Sequence, residues 1–142
     1  MTVKTTKAFA PASIGNVSLG FDLLGAALQP IDGTVLGDWV SVTDADEFSL
    51  SVDGQFADRL PAGTENNIVT KCYAYFQSSL SSNGHAPLKV KVHLHKTLPI
   101  GSGLGSSASS IVAAFHALNE HAGKPFSENA LLVMMGELEG QI

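Results

Sequence analysis

The sequence predicts an α+β domain, a sheet with helices packed on one side. Three observations carry that expectation. The stretch "LKVKVHLHK" (88–96) alternates Leu88, Val90, Val92 and Leu94 with Lys89, Lys91, His93 and His95, the period-2 pattern of a strand with one buried and one wet face. Apolar positions Ile68, Val69, Cys72, Tyr73, Phe76 and Leu80 follow the 3.6-residue helical period, and Ile111, Phe115 and Leu118 mark the face of a second helix. No repeat, low-complexity tract or linker divides the 142 residues, a length that suits one domain with a real core.

In chain order, Thr5 to Phe9 reads as a short strand, and "APASIGN" (10–16) has the Pro, Ser, Gly and Asn of a loop. Val35 to Thr43 and Phe48 to Val52 are rich in β-branched and aromatic residues. The polar link Asp44 to Glu47 predicts that they pair as a hairpin, with Trp39 a core anchor. Thr64 is placed to cap the first helix, which ends near Asn83-Gly84. After the alternating strand come Pro99, a glycine loop and a helix from about Ser106, closed by Gly123 and Pro125. Ser127 caps a last helix, "SENALLVMMGELEGQI", which runs apolar up to Met135 and stops at Ile142 with nothing after it for that face to meet. On pattern alone this is a truncated chain or an oligomer contact.

Hydrophobic residues make up 44% and charged ones 15%, far from the disordered class. The single Cys72 excludes an internal disulfide and falls on the buried face of its helix as inert packing. With no basic-then-apolar leader, it points to a reducing cytoplasm. No apolar run is long enough to span a bilayer, so no membrane is expected as a partner. A net charge of −5 speaks against a nucleic-acid partner, which calls for a basic face. An anionic ligand would have to be held locally, by backbone N–H groups and one or two placed cations. His93 and His95 share a strand face, but no third ligand stands nearby in the sequence, so they read as a wet face rather than a metal site.

The stretch "LPIGSGLGSSASS" (98–110) concentrates the chemistry. Successive backbone N–H groups pointing into one concavity bind phosphate oxygens, and glycines let the backbone come close. A helix beginning directly after the loop adds its free N–H groups and the positive end of its dipole. Gly101, Gly103, Gly105 and a helix from Ser106 supply both, while Ser106 and Ser107 add hydroxyls for a cap, a phosphate oxygen or Mg²⁺. Walker A fails, because Ser106 stands at its second glycine and Ser107 at its lysine. The dinucleotide fingerprint meets Ser106 at its third glycine, and a protein-kinase loop would join two strands rather than a strand and a helix. A plain tight turn leading into a capped helix is the alternative.

"PIGSGLGSSAS" (99–109) resembles the phosphate-binding motif of the GHMP kinases, the superfamily of galactokinase, homoserine kinase, mevalonate kinase and phosphomevalonate kinase. "APASIGNVSLGFDLLGAAL" (10–28) is similar to the amino-terminal motif of the homoserine kinase branch, and "TENNIVTKC" (64–72) and "MMGELEG" (134–140) also resemble the homoserine kinase pattern. The resemblance spans the whole chain and implies the GHMP kinase amino-terminal domain with its ribosomal S5 domain 2-like topology. A further S-G-x-x-H-x-D-N motif of that family, followed by a second half with substrate-binding arginines, is not found here, which implies a truncated chain that is inactive alone.

The activity implied is ATP-dependent phosphorylation of L-homoserine to O-phospho-L-homoserine, on the way to threonine, with ATP and Mg²⁺ as the cofactors. Cofactor contacts carried over by the resemblance are Pro99, Ile100, Gly101, Ser102, Gly103, Leu104, Gly105, Ser106, Ser107, Ala108 and Ser109. Asn66, with Asn67 beside it, is assigned to the adenine side, although an Asn at a helix start is also an ordinary cap. Lys96 is read as a phosphate contact or a surface lysine at a strand end. Ser107 and Glu139 are implied as metal ligands, with Glu139 chosen over Glu137 by its spacing to the missing motif. Asn16 and Asp22 match the positions that hold homoserine, and Asp22 and Glu139 are the implied catalytic residues; Asp22 either takes the hydroxyl proton or orients the substrate. The expected partners are therefore small molecules, with a homodimer allowed. Two rivals remain: another GHMP small-molecule kinase of mevalonate or galactose type, and an S5-like RNA-binding module, which ought to be basic.

Overall fold

The computed structural model of the chain describes residues 2–15 and 25–140. Its strands are Thr5–Pro11 (β1), Ser13–Ile14 (β2), Ala26–Ala27 (β3), Gly37–Asp44 (β4), Ser49–Asp53 (β5) and Val90–His95 (β6). Its helices are Ile68–Ser82 (α1), Ser106–His121 (α2) and Glu128–Glu139 (α3), with short 3₁₀ turns at Ala57–Arg59 and Thr64–Asn66. The main sheet has the order β1-β4-β6-β5, and β2 and β3 form a small separate pair.

Alternation decides which face of the sheet is covered. Ala8 and Ala10 of β1, Val40 and Val42 of β4, and Val90, Val92 and Leu94 of β6 all point to one side, where they are buried under the helices. α2 lies along β1 and β4 and carries Ile111, Phe115 and Leu118 into that core, flanked by α1 and α3. The buried positions of α1, Val69, Cys72, Phe76 and Leu80, follow the expected helical spacing. Phe115 and Phe76 are fully buried, and truncating either to alanine would cost about 3–5 kcal/mol. The expected α+β architecture, a sheet with helices on one side, is the one observed.

Three local expectations are corrected. The two strands predicted as a hairpin do not pair with each other: β6 inserts between them, antiparallel to β4 (Val42 opposite Val92) and parallel to β5 (Leu50 opposite Val92). β6 buries its whole apolar face, whereas Leu50 and Val52 of β5 are only half-buried, so the more apolar strand takes the centre and β5 the edge. The parallel β5–β6 pair needs a long crossover, and α1 provides it. Trp39 is not a core anchor. It is 37% exposed on the outer face, tilted against Phe9 with ring centroids 5.0 Å apart, because it lies out of phase with Val40 and Val42. The cap of α1 is Asn67, whose Oδ1 accepts from the Val69 amide at 2.9 Å, while Thr64 opens the preceding 3₁₀ turn. Ser127 caps α3 as expected, accepting from the Ala130 amide at 3.2 Å.

Candidate functional site

Residues 99–105 arch from β6 to the start of α2. Gly101, Gly103 and Gly105 adopt φ values of +71°, +78° and +66°. A residue with a side chain would pay about 1–2 kcal/mol for that left-handed conformation. A Cβ on Gly105 would also run into the Ser13 hydroxyl, whereas at Gly101 and Gly103 the space is open. Gly105 is the N-cap of α2 and brings no side chain to cap it, so the first-turn amides keep their donor capacity and the helix dipole its exposed positive end.

Below the arch lies a buried polar cluster. Asp38, fully buried, accepts at Oδ1 from the amides of Thr97 (2.9 Å) and Leu98 (3.2 Å). At Oδ2 it accepts from the Lys96 ammonium (2.5 Å) and the Ser110 hydroxyl (2.9 Å). Lys96 also donates to the Ser106 carbonyl (2.9 Å) and to Ser110 Oγ (3.1 Å). Burial pulls the Lys96 ammonium below the usual lysine range, against the hydrogen bond and charge of Asp38. Lys96 is thus not a surface lysine: it is 1% exposed, and its ammonium donates to three acceptors inside the protein, at the floor of the arch.

Beside the arch opens a cleft of about 730 Å³. One wall is Ile100, Gly101, Ser102, Gly103, Ser106 and Ser107; the other is Arg59, Leu60, Pro61, Asn66, Asn67, Ile68 and Lys71, with Lys96 and Ser110 between. Among the described residues no Asp or Glu lines it, and three of the chain's eight Lys and Arg residues do. Among the expected cofactor contacts, Pro99, Leu104, Gly105, Ala108 and Ser109 are not in this lining. Leu104 turns its carbonyl to the Ser13 amide (2.9 Å). Ser109 is buried and faces the sheet, donating to the Ala10 carbonyl (2.8 Å) and accepting from the Asp38 amide (3.1 Å), because it sits on the inward side of the first helical turn.

α3 brings Glu139 to the arch: Ser107 Oγ lies 3.3 and 3.4 Å from its two carboxylate oxygens. Glu137 accepts from the Tyr75 hydroxyl instead, which raises the phenol above its ordinary range. Asn66 stands at the cleft wall with its amide donating to the Ala62 carbonyl at 3.4 Å. Asn16 and Asp22 lie outside the described residues. On the outer sheet face Asp53 Oδ1 sits 2.9 Å from His93 Nε2 and 2.6 Å from His95 Nδ1, a carboxylate that the sequence spacing did not reveal. Among the described residues no group of three His, Cys, Asp or Glu side chains is arranged to hold a metal.

Asp38, Arg59 and Lys71 were missed by sequence reasoning. A signal for Asp38 existed: it is in phase with the buried Val40 and Val42, as Lys96 is with Val90, Val92 and Leu94, and opposite charges on inward positions of neighbouring strands point to a buried pair.

Residues 67–142 match the model of the GHMP kinases N terminal domain, more than half of the chain. Among solved structures the chain is similar to the homoserine kinase from Cytophaga hutchinsonii ATCC 33406, with 35% identity and a TM-score of 0.80 over 95% of this chain and 41% of that one. The Streptococcus pneumoniae phosphomevalonate kinase (13% identity, TM-score 0.63, 97% and 41%) and the mevalonate kinase from Staphylococcus aureus MRSA252 (16%, 0.59, 96% and 45%) share the fold. The chain spans less than half the length of each of these structures. Because the matched stretch runs from the α1 cap through β6 and the arch to α3, the chain belongs to the GHMP kinase family, as its N-terminal domain.

Proposed function

We propose that this domain holds the nucleotide in an ATP:L-homoserine phosphotransferase. The observation that carries the reading is the uncapped start of α2 behind three left-handed glycines, facing a cleft whose lining, among the described residues, has cations and no carboxylate. Such a concavity is built for an anion: amides point at it, the helix dipole favours it, and an acidic side chain would repel it. The 35% identity to a homoserine kinase supports homoserine as the phosphoryl acceptor; the likeness to mevalonate and phosphomevalonate kinases speaks to fold alone.

Ser107 and Glu139 fit a hard cation, since an adjacent hydroxyl and carboxylate give it the oxygen ligands it prefers. Mg²⁺ and ATP, when bound, supply the phosphoryl group and neutralise the charge that shifts during its transfer. This chain's residues orient and shield. The arch amides fix the phosphate tail, Ile100 and Ile68 exclude water from the cleft, and Arg59 and Lys71 offset negative charge from the facing wall. Asn16 and Asp22 are assigned to homoserine, whose ammonium and hydroxyl suit an amide and a carboxylate. The remaining assignments, a small-molecule pathway leading to threonine, a cytoplasmic location and a homodimer, follow this reading.

ADP release by the protein at its full encoded length, with homoserine, mevalonate and galactose offered separately, tests the substrate. Release with homoserine alone is expected; release with one of the other alcohols transfers the domain to a different GHMP kinase. Residues 1–142 by themselves are expected to bind Mg·ATP weakly without turnover, and measurable phosphorylation of homoserine by them would contradict that.

A further inference from the structure

Both stems of the glycine arch converge on one carboxylate. Asp38 Oδ1 holds the amides of Thr97 and Leu98, the last residues before the arch, at 2.9 and 3.2 Å. Its Oδ2 holds the ammonium of Lys96, and that ammonium reaches across to the carbonyl of Ser106, the first residue of α2, at 2.9 Å. Ser110 Oγ completes the link by donating to Asp38 Oδ2 at 2.9 Å and accepting from Lys96 at 3.1 Å.

The direction of one peptide follows. A trans peptide is planar, with its C=O and N–H on opposite sides, so a cation fixed on the Ser106 carbonyl also fixes where the Ser107 N–H points. That N–H belongs to the first helical turn and is free of an intrahelical partner. The Asp38–Lys96 pair is neutral as a whole, so it adds little net attraction for an anion. What it supplies is orientation. A buried ion pair is an expensive way to fill a core position that apolar residues would fill as well, and one that pins two loop stems has a reason to be there.

We infer that Asp38 and Lys96 are positioning residues which aim the first-turn amides of α2 into the arch, and that, resting on the nucleotide reading above, they set the affinity for the phosphate tail without touching it. Three variants of the chain, Ser110→Ala, Lys96→Met and Lys96→Arg, are compared with the native chain by Mg·ATP titration, thermal unfolding, and the amide resonances of Ser107 and Ala108 without nucleotide.

Ser110→Ala deletes the hydroxyl shared by the pair and leaves both charges in place. It is expected to stay folded, to shift the Ser107 and Ala108 resonances while those of α3 hold still, and to weaken Mg·ATP binding roughly three- to tenfold. Folded Lys96→Met is expected to lose more than tenfold, and Lys96→Arg to recover part of that. Native affinity together with native Ser107 resonances in Ser110→Ala overturns the inference, and that variant decides alone where Lys96→Met does not fold. Where the native chain binds no Mg·ATP, the nucleotide reading falls, and the positioning role stands or falls by the Ser107 resonance.

Discussion

Glu137 and Glu139 stand two apart on one helix, yet the geometry separates them: one is tied to the Tyr75 hydroxyl, the other faces Ser107 at the arch. Replacing Glu139 by Gln is therefore expected to raise the Mg²⁺ concentration needed for half-maximal ATP binding by about tenfold, since a carboxylate is a far better ligand for a hard cation than an amide. Glu137→Gln should leave that titration unmoved and lower the unfolding midpoint slightly. A second residue-scale expectation concerns pH. The Asp44 carboxyl is held below its ordinary range, chiefly by the hydrogen bond from His121 and next by the amide of Lys4. A carboxyl with a lower pKa folded than unfolded adds stability above the unfolded value, near 4, and loses it as pH falls through the folded one. Asp44→Ala should thus melt below the native chain at neutral pH, with the gap closing in acid; a gap that persists at pH 2 would put the effect in packing. Cys72 is buried, with its thiol pushed well above the ordinary range, so a thiol reagent should label it only in the unfolded chain.

At the scale of elements, the first helix offers a direct comparison. Asn67 caps it through a side chain and Thr64 does not, so Asn67→Ala should cost about 1 kcal/mol in urea unfolding and Thr64→Ala clearly less. Equal losses would mean that the 3₁₀ turn, rather than the cap, starts the helix. The two asparagines show how far the sequence could be read: that a cap stood in "TENNIV" was legible, but not which residue served, because Thr64, Asn66 and Asn67 are all chemically able. The alternating β6, the α2 start at Ser106 and the Ser127 cap were legible because each is a local pattern with a local cause. Strand order was not. The partner of β5 is chosen by how much apolar surface each competitor buries, and β6 arrives through α1, long after the link that suggested a hairpin. The outward Trp39 and the inward Asp38 share one origin: neighbours on a strand face opposite ways, and the phase of Val40 and Val42 rather than that of the large aromatic faces the helices.

Over the whole molecule, an acidic chain presents a cleft with the opposite local character. Its thirteen carboxylates against eight cations repel polyanions at a distance, while Arg59 and Lys71, both exposed and, among the described residues, without an ion pair, line the same cleft as the arch. At 0.15 M salt the screening length is about 8 Å, so distant carboxylates are muted and the nearby cations are not. A compact anion that reaches the cleft is attracted, and a long polyanion draped over the surface is repelled. Arg59→Gln combined with Lys71→Gln should then weaken Mg·ATP binding by about tenfold at low salt, flatten its dependence on added KCl, and leave the melting temperature where it was, because neither side chain supports the core. A single-stranded RNA should show no retardation with either protein even at low salt. If the double variant keeps the native salt slope, the attraction comes from the arch amides and the helix dipole alone, and the facing wall serves shape rather than charge.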